Sequence, residues 1–312
     1  MSLPRRVVVE ARAKLNLALA VGPRRADDFH DLVTVFQSID LADTLTAERT
    51  RGRFSLMLRH EEAAIHGAQR RSARTRVPAG EENLVLRAGR LVTERLSLRG
   101  GVRFTLTKRI PAEGGLGGGS ADAAAAIAAV LKLHARRLSM ENKLALAAEL
   151  GSDVPFSVFG GTALGEGRGE RLTRLSLTQH FRAILAVPDW RVSTAEAFRR
   201  IDRSRYILTH WGHARRFGTT IRGRGVISPR TTVLGNTFQQ VLGVHQDAFE
   251  SLCGRMRAAG LSTPRLTGSG SGVFALVREG DSILEVAGRF SGTEPLYAVR
   301  STSTGLRLHT QP

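Results

Sequence analysis

The sequence predicts an α+β protein of two domains, and three observations carry that expectation. Alternating apolar and polar residues mark strands over 6–21, 32–39 and 102–107. Five glycines crowded into 114–119 separate the third of these from an alanine run of high helix propensity. A fresh strand, Phe181-Arg-Ala-Ile-Leu-Ala-Val187, closes on Pro188 and opens what reads as a second domain. The 312 residues suffice for one large or two ordinary cores. The division is placed at 1–177 and 178–312.

Taken in order, Arg6 to Val21 begins as a strand on which Leu15, Leu17 and Leu19 share one face and Lys14 and Asn16 the other. A lysine beside an amide on one strand face either lines a polar site or is simply solvated. Gly22 to Asp28 reads as a turn, with Phe29 and His30 at its end, where an aromatic face and an imidazole could hold a heteroaromatic ring or belong to ordinary surface. Asp40–Thr46 and Arg53–Leu58 suggest separate further strands, and His60 to Gly80 a polar, basic loop. Leu84, Ala88 and Leu91 have helical spacing. After the glycine loop, Ser120 is placed as the N-cap of the alanine helix. Unpaired amides and the positive end of that helix then converge on one spot, which suits a phosphate better than a purely structural loop. Ser139 caps a second helix, with Leu144, Ala147, Ala148 and Leu150 as its stripe and Gly151 as its stop. Asp153 follows, past a helix end in a loop stiffened by Pro155. The dipole opposes an aspartate there, so local stability does not account for it. In the second half, Ser193 or Thr194 caps a helix, the arginine-rich 199–230 reads as mostly irregular, and 232–240 leads into a helix through Phe249. Gly268-Ser-Gly-Ser-Gly272 is a second glycine loop ahead of a strand, and a helix from Ser282 to Phe290 follows.

Composition narrows the partners. The longest apolar run, Ala123 to Leu131, is nine residues, against the ~20 that span a bilayer, so no membrane partner is expected. Met-Ser-Leu-Pro-Arg-Arg lacks the apolar core of a secretory signal, and one cysteine, Cys253, suits a reducing cytoplasm. The net charge of +18 invites a nucleic-acid reading. Aromatic residues are only 5%, however, and the basic runs at 70–76, 199–205 and 215–230 are not interleaved with stacking rings, so nucleic acid is not expected. Only four of the 46 basic residues are lysines, which looks like coding bias and makes Lys14 and Lys108, both inside motifs, informative.

The P-loop pattern is absent because no lysine precedes Ser120, and the dinucleotide fingerprint fails for want of its third glycine. Instead Pro111-x-x-Gly-Gly-Leu-Gly-Gly-Gly-Ser-Ala121 resembles the second motif of the GHMP small-molecule kinases. Ala13-Lys-Leu-Asn-Leu17 is similar to their first motif and Leu266-Thr-Gly-Ser-Gly-Ser-Gly-Val-Phe-Ala275 to their third, in the family's order. The resemblance implies a ribosomal-protein-S5-like N-terminal domain and a ferredoxin-like C-terminal domain, with ATP along the glycine loop. It is strongest, through Phe29-His30 and Leu150-Gly-Ser-Asp153, toward members acting on a cytidine diphosphate-linked methylerythritol in the non-mevalonate isoprenoid route. A family member acting on another small alcohol is the alternative.

By position, the resemblance implies Asp153 as the base and Lys14 beside it. ATP would be held by Asn83, Lys108, Pro111, Gly114, Gly115, Leu116, Gly117, Gly118, Gly119 and Ser120. The diphosphocytidyl end would be held by Asn16, Phe29, His30, Thr194 and Phe198, with the two phenylalanines sandwiching cytosine. Magnesium is expected with ATP, with no protein metal ligand assigned beyond Ser120, and the chain is expected to be a monomer or weak homodimer. Glu113 stands in a loop built for polyphosphate, where a carboxylate repels unless it points outward.

Overall fold

A computed structural model describes residues 4–67, 77–204, 206–230 and 235–311. Strand β1 (Arg6–Arg24) and strand β2 (His30–Thr50) form a long antiparallel hairpin. β2 runs unbroken through the region where two separate strands were expected, because Leu41 and Leu45 continue its buried face. β3 (Ser55–His60) follows; 68–76, within the expected basic loop, lie outside the described residues. Helix α1 (Leu84–Arg95), β4 (Gly101–Lys108), α2 (Gly118–Leu133), α3 (Met140–Leu150), α4 (Val154–Phe159), β5 (Thr162–Gly167) and β6 (Arg171–Leu177) complete the first half. The alanine-rich body of α2 is buried, with Ala123 to Ala126 fully so, as the helix lies against β1, β2 and α1. It begins at Gly118, capped by Gly117 in the left-handed region (φ 68°), not at Ser120, which is its third residue. The glycine adopts the conformation that ends the loop before the serine is reached.

The second half holds β7 (Arg182–Ala186), α5 (Thr194–Asp202), α6 (Tyr206–Arg224), β8 (Val226–Ile227), α7 (Gln246–Ala258), β9 (Ser262–Leu266), β10 (Val273–Leu276), α8 (Ile283–Gly288), β11 (Leu296–Arg300) and β12 (Leu306–Gln311). The first sheet runs β12-β1-β2-β5-β6-β8, with β4 also on β2 and β3 on β4. The second runs β11-β7-β10-β9, every pair antiparallel. Its β-α-β-β-α-β succession and strand order are those of a ferredoxin-like unit. The last strand departs from a simple cut at 177: β12 returns to the first sheet beside β1.

Two expectations fail here. The segment 199–230 is mostly helical: Trp211 and Phe217 pack on the core while Ala214 and Ile221 are buried, a helical spacing that its arginines and glycines masked. The segment 232–240, expected to lead straight into a helix through Phe249, instead turns through 3-10 segments at Thr237–Gln240 and Gly243–His245, where Gly243 takes φ 60°; α7 starts only at Gln246 and runs past Phe249 to Ala258, and 232–234 lie outside the described residues. Among the described residues no helix is long and apolar enough to cross a membrane.

Candidate active site

A cleft of about 960 Å³ opens between the two sheets, roomy enough for a nucleotide and a second small molecule. Its floor is the glycine loop, stitched on both sides. Lys14 N donates to Leu116 O at 3.0 Å, and Gly272 N to Gly114 O at 3.2 Å. Gly115 and Gly117 sit at φ 71° and 68°. A Cβ on Gly115 would strike the Thr267 carbonyl, and one on Gly117 would lie 3.1 Å from Lys14 Cγ. Glycine is required at both, by conformation and by close approach. Of the loop residues the resemblance assigns to ATP, Pro111, Gly115, Leu116, Gly117, Gly118, Gly119 and Ser120 line the cleft. Gly114 is buried behind this lining, and its carbonyl accepts from Gly272 N of the third-motif loop.

Lys108 lines the cleft, but its ammonium is fixed between two buried carboxylates, hydrogen-bonding Asp43 and reaching Asp122 Oδ2 at 2.6 Å. Asp43 Oδ1 also accepts from Arg109 N (2.6 Å) and Ile110 N (2.9 Å), so this cluster anchors the strand end from which the loop departs. Burial opposes the charge on Lys108, yet the carboxylates of Asp122 and Asp43 outweigh it and raise the ammonium above the usual lysine range. Burial lifts Asp122 well above the ordinary carboxylate range, against the pull of Lys108. The lysine expected beside adenine is therefore first an anchor. Asn83 likewise lines the cleft while capping α1. Its Oδ1 accepts from Val85 N at 2.8 Å, and its amide donates to Pro78 O at 2.6 Å.

The polar strand face is buried against the cleft and is not a solvated surface. Lys14 and Asn16 are 5% and 3% exposed, beside register shifts in the β1–β2 ladder that re-aim side chains. Lys14 Nζ donates to Asn16 Oδ1 at 2.7 Å and stands 3.5 Å from Asp153 Oδ2. Asn16 Oδ1 also accepts from Gly268 N at 3.0 Å, and its amide donates to Thr34 Oγ1 at 2.8 Å. Asn16 thus ties the lysine to the third-motif loop as well as lining the cleft. Asp153 is half-buried and stands at the N-cap position of α4 with its carboxylate not spent on a capping hydrogen bond, and Pro155 is in the first turn. This corrects the dipole expectation: the positive end of α4 favours the carboxylate that the end of α3 opposes.

At the far end Phe29 is 46% exposed, and the Arg168 guanidinium lies 4.7 Å from its ring centroid. His30 is buried. Its Nδ1 faces Gly22 O at 2.8 Å, so that nitrogen carries the proton, and Nε2 is 3.3 Å from Asp202 Oδ1. Its ring stacks on Phe198 at 5.0 Å, too close to admit a base between them, so His30 braces Phe198 from behind. Thr194 Oγ1 lies 2.9 Å from Ser269 Oγ and joins α5 to the third-motif loop. Three participants escaped sequence reasoning. Asp43 and Asp122 are identified only by their burial against Lys108, and Arg191 only by its ion pair with Glu113 across the cleft. Asp122 stands inside the glycine motif, which was the available signal.

Known proteins resemble this chain over most of its length. The family model described as the GHMP kinases N terminal domain matches residues 83–161. A 4-diphosphocytidyl-2-C-methyl-D-erythritol kinase of Pelotomaculum thermopropionicum is 36% identical, over 94% of this chain and 96% of its own. One of Rhodococcus jostii is 35% identical over 96% of this chain and 93% of its own. A crystal structure of a 4-(cytidine 5'-diphospho)-2C-methyl-D-erythritol kinase superposes with a TM-score of 0.72 at 31% identity, covering 94% of this chain and 98% of that one. The Methanococcus jannaschii mevalonate kinase shares the fold at 13% identity with a TM-score of 0.65.

Proposed function

The chain belongs to the 4-diphosphocytidyl-2-C-methyl-D-erythritol kinases of the GHMP family, and from that premise we propose how its cleft transfers the γ-phosphoryl group of ATP to the 2-hydroxyl of that substrate. The observation that carries the reading is Asp153 with Lys14 at 3.5 Å, in the same cleft as the glycine loop. Phosphoryl transfer needs alignment and charge stabilisation more than covalent chemistry. The amides at the start of α2 receive the triphosphate. Asp153 accepts the proton of the attacking hydroxyl, and Lys14, held by Asn16, orients that hydroxyl and offsets charge on the moving phosphoryl group. Phe29 and the outer face of Phe198 offer stacking surfaces for cytosine.

Magnesium fits this cleft as a companion of ATP. Among the described residues there is no cluster of three His, Cys, Asp or Glu side chains, and Ser120 supplies a hard oxygen at the head of α2, which suits a cation held mainly by phosphate oxygens and water. When bound it screens charge on the triphosphate. The lone buried cysteine fits a reducing cytoplasm. The test is an ADP-release assay with ATP and each of 4-diphosphocytidyl-2-C-methyl-D-erythritol, mevalonate and homoserine. Saturable turnover with the first alone is expected; turnover only with another alcohol would transfer the site to the alternative substrate class.

A further inference from the structure

Among the described residues, four Lys and Arg side chains line the cleft: Lys14, Lys108, Arg168 and Arg191. Two are already balanced by carboxylates inside the site, Lys14 by Asp153 and Lys108 by Asp43 and Asp122. A kinase of this class brings together a triphosphate and a diphosphate, several negative charges in one cavity. Arg168 lies over Phe29 and serves the aromatic end. Arg191 is differently placed. It projects from the second half of the chain onto the glycine loop, where its Nε meets Glu113 Oε2 at 3.1 Å with both side chains about half exposed (48% and 47%).

The backbone around Arg191 is held on both sides. Trp190 stacks on His245 at 5.3 Å, and Ser193 caps α5. The guanidinium, on a long flexible stem, is the part free to move. Glu113 is the odd residue of the loop, with φ at 61° in a region that disfavours side chains. Left facing a polyphosphate it would repel; paired with Arg191 it is neutralised and keeps the guanidinium at the rim.

We propose that Arg191 binds a phosphate group of a reactant in the kinase site, and that Glu113 holds it there until that group arrives. A half-exposed carboxylate pair is weak, whereas a phosphate offers a guanidinium two charge-assisted hydrogen bonds, so the exchange runs toward phosphate. The inference rests on the kinase reading above. Its chemistry is common to the phosphates of ATP and of the cytidylyl substrate, and the experiment separates the two.

Calorimetric titration of the full chain, Arg191→Ala, Glu113→Gln and the double variant uses three probes: the magnesium complex of the non-hydrolysable analogue AMP-PNP, CDP and neutral cytidine. Arg191→Ala is expected to weaken AMP-PNP or CDP by about tenfold and to leave cytidine within twofold. Loss confined to AMP-PNP places the contact on the nucleotide, loss confined to CDP on the other substrate. Glu113→Gln is expected to tighten the same probe severalfold, a gain absent in the double variant. Unchanged affinity for both phosphorylated probes in Arg191→Ala, or an equal loss for cytidine, overturns the proposal; no gain in Glu113→Gln overturns the holding role. Wild-type chain that binds AMP-PNP but neither CDP nor cytidine would count against the cytidylyl substrate, while the AMP-PNP arm still decides Arg191. Thermal melts within a few degrees of wild type confirm that each variant is folded.

Discussion

Lys108 holds a buried ammonium between two buried carboxylates, and the balance of that cluster decides what its substitution costs. Replacing Lys108 by Met leaves Asp43 and Asp122 facing each other without a cation, an arrangement that costs about 3–5 kcal/mol. Asp122 already sits well above the ordinary carboxylate range because of its burial, so Asp122→Asn removes a charge the site barely tolerates and is expected to cost about 1 kcal/mol. Urea unfolding of the two variants checks the order. Cys253 behaves similarly on a smaller scale. Burial pushes its thiol up to about 11 from an ordinary 9.0. The folded thiol stays protonated where the unfolded one ionises, so between those values this group favours the unfolded chain and stability falls as pH rises. At pH 8, iodoacetamide should label Cys253 only after denaturation; rapid labelling of the native protein would contradict its burial.

The glycine loop works only because two residues have no side chain. Gly115→Ala would force Thr267 and the third-motif loop away, and Gly117→Ala would press on Lys14 while imposing a left-handed backbone on alanine. Each is expected to lower turnover by at least about tenfold through misplacement of the phosphate and of Lys14, seen as a fall in kcat/KM larger than the shift in Tm. The loop, its helix and the Lys14–Asn16 face were legible in the sequence because glycine density and strand alternation are local signals. The start of α2 was misplaced by three residues, because Gly117 in its left-handed conformation stands at the N-cap position expected for Ser120. Helix α6 was hidden by arginines between its apolar positions. Asp43 and Arg191 acquire meaning only from partners brought near by folding, which no local pattern records, while Asp122 had only its place inside the glycine motif to mark it.

At the scale of the whole molecule, the two sheets are less separable than a cut at 177 implies. Strand β12 is antiparallel to β1 from Arg6–Gln311 to Ala11–Leu306, so the chain's end completes the sheet that its beginning started. A fragment ending at 177 exposes that edge of β1 and is expected to melt without cooperativity, while the full chain melts in one transition; a cooperative, folded 1–177 fragment would show that β12 is dispensable. The closed architecture also sets the third-motif loop on the glycine loop and brings Arg191 and Thr194 to the cleft that Lys14 and Asp153 occupy. Catalysis on this account needs both halves, with the base on the first and the substrate's grip divided between the two. The most direct measurement is the steady-state rate of Asp153→Asn with ATP and 4-diphosphocytidyl-2-C-methyl-D-erythritol, paired with its affinity for AMP-PNP. A fall in kcat of about 10²–10⁴ with nucleotide affinity unchanged is predicted; a kcat within a few-fold of wild type would contradict Asp153 as the base.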